Sequence, residues 1–247
     1  MIIEEAIEIR TTDGTADGFF YRAEGERRFP GAIHLTDIGG IRSSHREMAR
    51  RLAGKGYAVL MPNVFYRTGK PPVMDAKVAM GDERRMKRMA ELSAPMTPEA
   101  VERDAHAYVN FLAAHDAVSP GAIGVVGYCV TGAFAMRTAA AQPDKVAAVA
   151  SFHGGGLYTD APTSPHLVLP RIKARLYFGH ATKDRSMPQE AIEKLDRALD
   201  AWGGKYESEV YEGAFHSWTV PDSPVYNQPQ AERAFEKLTE LFANTLK

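Results

Sequence analysis

Apolar and polar positions repeat with two different periods along this chain of 247 residues. Near the start, Glu4–Thr11 alternates with a period of two, and Gly18–Ala23 follows a Thr-Ala-Asp turn, which is typical of a strand hairpin. Further strands are predicted at Gly31–Leu35, Tyr57–Met61, Gly121–Gly127, Val146–Phe152, Arg175–Phe178 and Tyr206–Tyr211. Helical spacing is found in Ser44–Lys55, Asp75–Met89, Pro98–His115, Val130–Ala141, Pro188–Trp202 and Gln228–Leu246. This alternation predicts an α/β fold, with a mainly parallel central sheet and helices on both faces.

Composition narrows the class of protein. The chain carries 30 basic and 31 acidic residues without a basic stripe or an acidic tail, so we expect neither nucleic acid nor a membrane as a partner. No apolar run approaches the ~18 residues of a membrane helix, and the acidic, alternating start does not resemble a secretory signal. One cysteine excludes an internal disulfide, and the histidines lack metal-ligand spacing, so we expect no metal, no cofactor and a cytoplasmic location. The sequence leaves the oligomeric state open.

That cysteine stands between a predicted strand and a predicted helix. Cys129 has glycine two positions before it, Gly127, and three positions after it, Gly132. A residue on a tight strand-to-helix turn is forced outward, and the free N–H groups of the helix favour a thiolate, so Cys129 is a candidate nucleophile. The N–H of Val130 is then a candidate oxyanion donor. In the alternative interpretation, Cys129 is a small buried core residue, as most free cysteines are.

A base and an acid are expected where later strands end, because the carboxyl ends of parallel strands share one edge of a sheet. Asp184 follows the strand Arg175–Phe178, and His216 follows the strand Tyr206–Tyr211, in the chain order nucleophile, acid, base. Singly, Asp184 is also typical of a helix N-cap and His216 of a solvated loop. His153 competes as the base, but it precedes the acid in the chain, so we expect it either to line the pocket or to support the triad residues.

The segment IGVVGYCVTGAFAMR resembles the nucleophile elbow of the dienelactone hydrolase family, carboxymethylenebutenolidase-type enzymes with a cysteine nucleophile. The similarity runs along essentially the whole chain and includes the segments His34–Gly40 and Gly56–Asn63. It implies one α/β-hydrolase domain spanning residues 1–247. It also implies a triad of Cys129, His216 and Asp184 that cleaves a small-molecule ester or lactone through a covalent thioester. The alternative function is a catalytically weak or inactive small-molecule binding protein with the same fold.

The resemblance also assigns roles to the loop after the third strand. The N–H of Ile38 is the second oxyanion donor, and Asp37 stands where the family has a glutamate that controls ionisation of the thiol. The alternative is that Asp37 caps its own turn. At the elbow, Thr131 replaces the usual glycine, which is tolerable if its side chain faces away from the strand.

Substrates of the family carry a carboxylate, for which Arg84 and Arg85 are the candidate partners on a helix over the pocket. The alternative is a solvated helix face. His153 and Trp218 are further candidates for substrate binding. The arginine that the family places shortly after the catalytic histidine is absent after His216, which disfavours a carboxylate-bearing dienelactone and leaves the substrate open.

Overall fold

The computed structural model of the chain describes residues 1–75 and 81–246. The strands in these ranges are β1 (Ile2–Thr11), β2 (Gly14–Ala23), β3 (Gly31–Leu35), β4 (Ala58–Pro62), β5 (Ile123–Tyr128), β6 (Val146–Phe152), β7 (Arg175–Lys183) and β8 (Tyr206–Phe215). The α-helices are α1 (Ser43–Gly54), α2 (Glu83–Ser93), α3 (Pro98–Ala114), α4 (Thr131–Ala141), α5 (Gln189–Trp202) and α6 (Gln228–Thr245). A 3₁₀ helix spans Pro165–Arg171.

The strands form a mainly parallel sheet in the order β1-β2-β4-β3-β5-β6-β7-β8. β1 and β2 form the predicted antiparallel hairpin, and β2 pairs antiparallel with β4. From β4 to β8 every neighbouring pair is parallel. The predicted α/β class is therefore confirmed, and the loops after β3, β5, β6, β7 and β8 meet at the carboxyl edge, where such sheets place their sites.

Each face of the sheet packs against its own layer of helices. Successive side chains of a strand point to opposite faces, so Val125 enters the core that also contains Leu112 of α3 and Leu195 of α5. Its neighbour Val126 enters the core that contains Phe242 of α6. Because both faces are covered, β5 is buried at every position and reads as a continuous apolar run.

The bounds of several elements differ from the sequence prediction. The helix predicted at Asp75–Met89 begins only at Glu83, because the Asp82 side chain accepts a hydrogen bond from the N–H of Arg84 and caps the helix there. Residues 76–80 lie outside the described ranges. The short 3₁₀ helix was not predicted.

Four strands are clearly longer than predicted, among them β1, which begins at Ile2 rather than Glu4. β2 begins at Gly14, β7 continues to Lys183 and β8 continues to Phe215. In each case the additional residues pair with a neighbouring strand, as in the pair Thr11 and Gly14. Backbone pairing sets these bounds, and the side-chain pattern does not report it.

Within residues 1–75 and 81–246, the model contains no helix that combines the length and the apolar composition required to cross a bilayer.

Candidate active site

The cysteine lies on a tight turn between β5 and α4. Cys129 has a φ of 57°, a left-handed conformation that is uncommon for residues with a side chain. Its N–H donates to the carbonyl oxygen of Phe152 (3.2 Å) and to Nδ1 of His153 (3.1 Å), which hold this conformation. The side chain is partly exposed at the carboxyl edge of the sheet, which does not fit the alternative of a buried core cysteine.

Two glycines let the strand and the helix approach each other at this turn. A Cβ atom on Gly127 would overlap the backbone oxygen of Thr131, and a Cβ atom on Gly132 would overlap Oγ of Ser151. Protein interiors are close-packed, so neither atom could be accommodated without moving backbone or buried side chains. The glycines that the sequence places around Cys129 are therefore a steric requirement of the turn.

Replacement of Gly132 by alanine is expected to destabilise the protein by about 1–3 kcal/mol, the usual cost of overfilling a packed site. The measurement is the free energy of unfolding from a urea titration. Gly54→Ala is the matched control, because a Cβ atom there meets nothing within 4 Å. A Gly132→Ala variant as stable as the control would contradict the steric role.

The threonine after the nucleophile turn points back toward the strands rather than away from them. Thr131 is fully buried, and its hydroxyl oxygen accepts the N–H of Tyr128 (2.9 Å). The same hydroxyl lies 3.1 Å from the carbonyl oxygen of Leu35 and 3.0 Å from that of Tyr128, either of which accepts its proton. Thr131 therefore ties the turn to the end of β3, a role that glycine could not supply.

The predicted acid and base lie side by side at the ends of β7 and β8. Nδ1 of His216 lies 2.5 Å from Oδ2 of Asp184, whose side chain is buried. The other carboxylate oxygen of Asp184 accepts from the N–H (2.8 Å) and the hydroxyl (2.6 Å) of Ser186. Both carboxylate oxygens are thus engaged, which fixes the orientation of the imidazole.

Charge at this pair follows from its contacts. Burial lowers the pKa of the His216 imidazole, but hydrogen bonds to Asp184 and Cys129 outweigh burial and raise the pKa to about 10. Burial raises the pKa of the Asp184 carboxyl, and its hydrogen bonds to His216 and Ser186 hold that pKa below its ordinary value. At neutral pH the carboxylate is ionised, and the imidazole holds a proton beside the sulfur.

A second histidine, His153, binds the backbone of the candidate nucleophile. Burial, together with the charge of His216, holds the pKa of His153 well below its ordinary value, so the ring is neutral. Its Nδ1 accepts the N–H of Cys129, and its proton is therefore on Nε2, which donates to the Thr219 hydroxyl (2.8 Å). His153 is 1% exposed and bonds the backbone of Cys129, which fits the supporting alternative rather than a pocket-lining residue that binds substrate.

Backbone strain is concentrated at this site. Among residues 1–75 and 81–246, the non-glycine residues with positive φ are Cys129 (57°), His153 (42°) and Ser217 (77°). They are the predicted nucleophile, the residue that accepts its N–H and the residue after the predicted base. Strained backbone persists only where the surroundings enforce it, and it is typical of functional sites.

Two backbone N–H groups near the turn have no acceptor. β3 and β5 pair in parallel, with Leu35 opposite Gly127, so the loops that carry Ile38 and Cys129 leave the sheet side by side. In the described part of the chain, neither the N–H of Ile38 nor that of Val130 has a hydrogen-bond acceptor. Both stay candidates for an oxyanion hole, which requires free donors.

The Asp37 carboxylate is held by Arg42 and by its own turn. It accepts two hydrogen bonds from the Arg42 guanidinium, at 2.6 and 2.8 Å, and one from the N–H of Gly39 at 2.8 Å. Burial raises the pKa of this carboxyl, but His45 and Arg42 outweigh it and hold the pKa well below its ordinary value. The bond from Gly39 is the one that the turn-capping alternative predicts.

Comparison with known proteins gives the family of the chain. The model of the family described as "Dienelactone hydrolase family" matches residues 16–246. The chain belongs to the dienelactone hydrolase family. A carboxymethylenebutenolidase from Rhodococcus opacus is 30% identical over 221 residues, covering 87% of this chain and 81% of that protein. One from Pseudomonas putida is 25% identical and covers 98% and 97% of the two chains.

A solved structure of a Klebsiella pneumoniae protein, classed provisionally as a dienelactone hydrolase, has the same fold. It superposes with a TM-score of 0.87 at 22% identity and covers 98% of this chain and 99% of its own. The predicted α/β-hydrolase fold is therefore confirmed.

The residues of this chain that were predicted to bind substrate lie in different environments. Trp218 is 0% exposed and packs against the rings of His153 and Tyr211, which corrects the prediction that it contacts substrate. Arg84 is exposed and bonds Asp82 at the start of α2. Arg85 lies next to it on the same helix and stays a candidate.

Sequence reasoning missed several residues that support the triad. Ser186 holds Asp184, Thr219 holds His153, and Arg42 holds Asp37. Ser186 had a local signal, since a serine two residues after an aspartate often bonds its side chain. Thr219 had none, because His153 is 66 positions away, and the second contact of Arg42, with Asp222, spans 180 positions.

Proposed function

We propose that this protein hydrolyses an ester or lactone bond through a thioester on Cys129, with His216 as the base and Asp184 as its orienting acid. The observation that carries the proposal is the imidazole of His216. Its Nδ1 lies 2.5 Å from Asp184, and Cys129, whose backbone is held at positive φ, contributes together with Asp184 to the raised pKa of the same ring. A nucleophile, a base and an orienting acid in one chain of contacts are typical of acyl transfer.

Acylation begins with the protonated His216 beside the sulfur. The thiolate attacks the carbonyl carbon, and the carbonyl oxygen takes the negative charge. The free N–H groups of Ile38 and Val130 stabilise that charge. Collapse of the tetrahedral intermediate breaks the bond to the alkoxy oxygen, which takes the proton from His216. In an ester the alcohol leaves, and in a lactone it stays attached to the acyl group.

Deacylation uses the same imidazole in its other protonation state. Once the sulfur is acylated, it no longer carries the charge that contributes to the raised pKa of His216. The pKa of the imidazole then falls, and the ring can take a proton from water as the water attacks the thioester. Collapse expels the thiolate and releases the acid, and the proton on His216 restores the starting pair.

The substrate class follows the names of the relatives, which are carboxymethylenebutenolidases. We propose a small ester or lactone, with Arg84 and Arg85 as candidates for a carboxylate on it. The binding-protein alternative is not favoured, because the chain belongs to a hydrolase family. A single domain and a cytoplasmic location remain predictions from the sequence.

The proposal is tested by trapping the acyl-enzyme. p-Nitrophenyl acetate is mixed with the protein and quenched with acid, and the mass of the intact chain is measured. We expect the mass to increase by one acetyl group, mapped by peptide sequencing to Cys129. Protein first alkylated with iodoacetamide is the control and should neither acquire the acetyl group nor release p-nitrophenol. Turnover by the alkylated protein, or an acetyl group on another side chain, would exclude Cys129 as the nucleophile.

A further inference from the structure

One arginine connects the two loops that flank the thiol. The oxyanion loop, residues 36–40, follows β3 and carries the N–H of Ile38, and the histidine loop, residues 216–223, follows β8. Arg42 stands just before α1. Its guanidinium donates to Asp37 on the oxyanion loop at 2.6 and 2.8 Å, and to Asp222 on the histidine loop at 2.8 and 3.1 Å.

The guanidinium is fully engaged in this bridge. Nη1 also donates to the carbonyl oxygen of Gly40 (3.2 Å), so Arg42 makes five hydrogen bonds, which equals its number of N–H donors. A planar guanidinium can hold two carboxylates at once because its donors point in fixed directions. No donor is left over for a substrate carboxylate.

The oxyanion loop is shaped around this contact. A Cβ atom on Gly39 would lie 2.7 Å from Nη1 of Arg42 and 3.0 Å from Oδ1 of Asp37. Glycine at this position is what allows the guanidinium to reach the carboxylate. The same carboxylate accepts the Gly39 N–H, so the turn that presents Ile38 and the ion pair depend on each other.

We propose that Arg42 is a positioning residue that fixes the oxyanion loop and the histidine loop relative to each other around Cys129. The inference rests on the proposed function, in which the Ile38 N–H and the His216 imidazole act on the same substrate. Misplacing a catalytic group by about 1 Å can lower a rate by about 10²-fold, so loss of the bridge is expected to lower the turnover rate.

The test compares Arg42→Ala, Arg42→Lys, Asp222→Ala and the double variant Arg42→Ala with Asp222→Ala. Each is assayed on two p-nitrophenyl esters of similar size, one with a neutral acyl group and one with a terminal carboxylate. A positioning role predicts that kcat falls about 10–100-fold in Arg42→Ala on both esters, with KM nearly unchanged. Lysine should restore part of kcat, because a single ammonium can hold only one of the two carboxylates.

Asp222 separates this role from general destabilisation. Its side chain is half-exposed and bonds Arg42, so Asp222→Ala should lower kcat by itself, by less than Arg42→Ala. The double variant should be no slower than Arg42→Ala, because both substitutions break one bridge. Arg51→Ala is the matched control. Arg51 is on α1, the helix that begins directly after Arg42, and it pairs with Glu232 of α6. We expect its kcat to equal that of the wild type.

Two outcomes would overturn the inference. Effects of Arg42 and Asp222 that multiply in the double variant would show that the residues act separately. A rise in KM limited to the carboxylate ester would show that Arg42 binds substrate. Cys129→Ala, assayed in parallel, separates this failure from failure of the proposed function. If Cys129→Ala is inactive while the Arg42 variants resemble the wild type, only the positioning role of Arg42 is contradicted. An active Cys129→Ala would instead contradict the proposed triad.

Discussion

Cys129→Ala is expected to abolish hydrolysis of small activated esters, lowering kcat by about 10⁴–10⁶-fold. The sulfur is the only group at the strained turn that can form the acyl intermediate, and the chain contains no second cysteine to replace it. The oxyanion N–H groups and His216 would remain, so the residual rate is that of water attacking a bound ester. The measurement is p-nitrophenol release under saturating substrate.

Cys129→Ser is the matched control for this substitution. It keeps a nucleophile of nearly the same size, and we expect a rate between those of the alanine variant and the wild type. Its hydroxyl must lose a proton to His216 during the attack, whereas the thiol is already paired with the imidazole. The urea midpoints of both variants should match the wild type, because the side chain is only partly buried. Full activity in the alanine variant would contradict the assignment of Cys129 as the nucleophile.

Asp184→Asn is expected to lower kcat by about 10²–10⁴-fold, the second largest effect. The carboxylate accepts from Nδ1 of His216 at 2.5 Å and supports the positive charge of the ring. An amide has one acceptor oxygen and no charge, so both the orientation and the charge of the imidazole lose support. Asp144→Asn is the control, because Asp144 is an exposed carboxylate paired with Lys173.

The same variant has a pH signature. Burial lowers the pKa of His216, so without the Asp184 carboxylate that pKa falls below its present value of about 10. The imidazole then loses its proton at lower pH. We expect the His216 ring protons, followed by NMR, to titrate at lower pH in Asp184→Asn than in the wild type. An unchanged titration of His216 would contradict its coupling to the carboxylate.

Local chemistry made much of the site predictable. The nucleophile turn could be recognised because glycines at positions 127 and 132 are a steric requirement of a tight strand-to-helix junction. Asp184 and His216 could be placed because each follows a strand, and parallel strands bring their carboxyl ends to one edge. These inferences use residues that are close in the sequence, or the shared direction of parallel strands in a sheet.

One error concerns a residue whose partner is far away in the chain. Trp218 was expected at the substrate, but its ring packs against that of His153. This contact has no local pattern, since an aromatic residue after a strand fits many environments. The length of β8 was missed for the same reason, because pairing with β7 decides it.

By itself, the sequence determined the class of fold, the candidate nucleophile and the chain order of the candidate acid and base, because these depend on periodicity and on steric rules within a few residues. Only the tertiary structure decided which groups support the triad. The bridge from Arg42 to Asp222 spans 180 positions, and the bond from His153 to Thr219 spans 66. Such contacts exist only after the sheet has brought its loops together, since a hydrogen bond depends on distance and angle in space rather than on spacing along the chain.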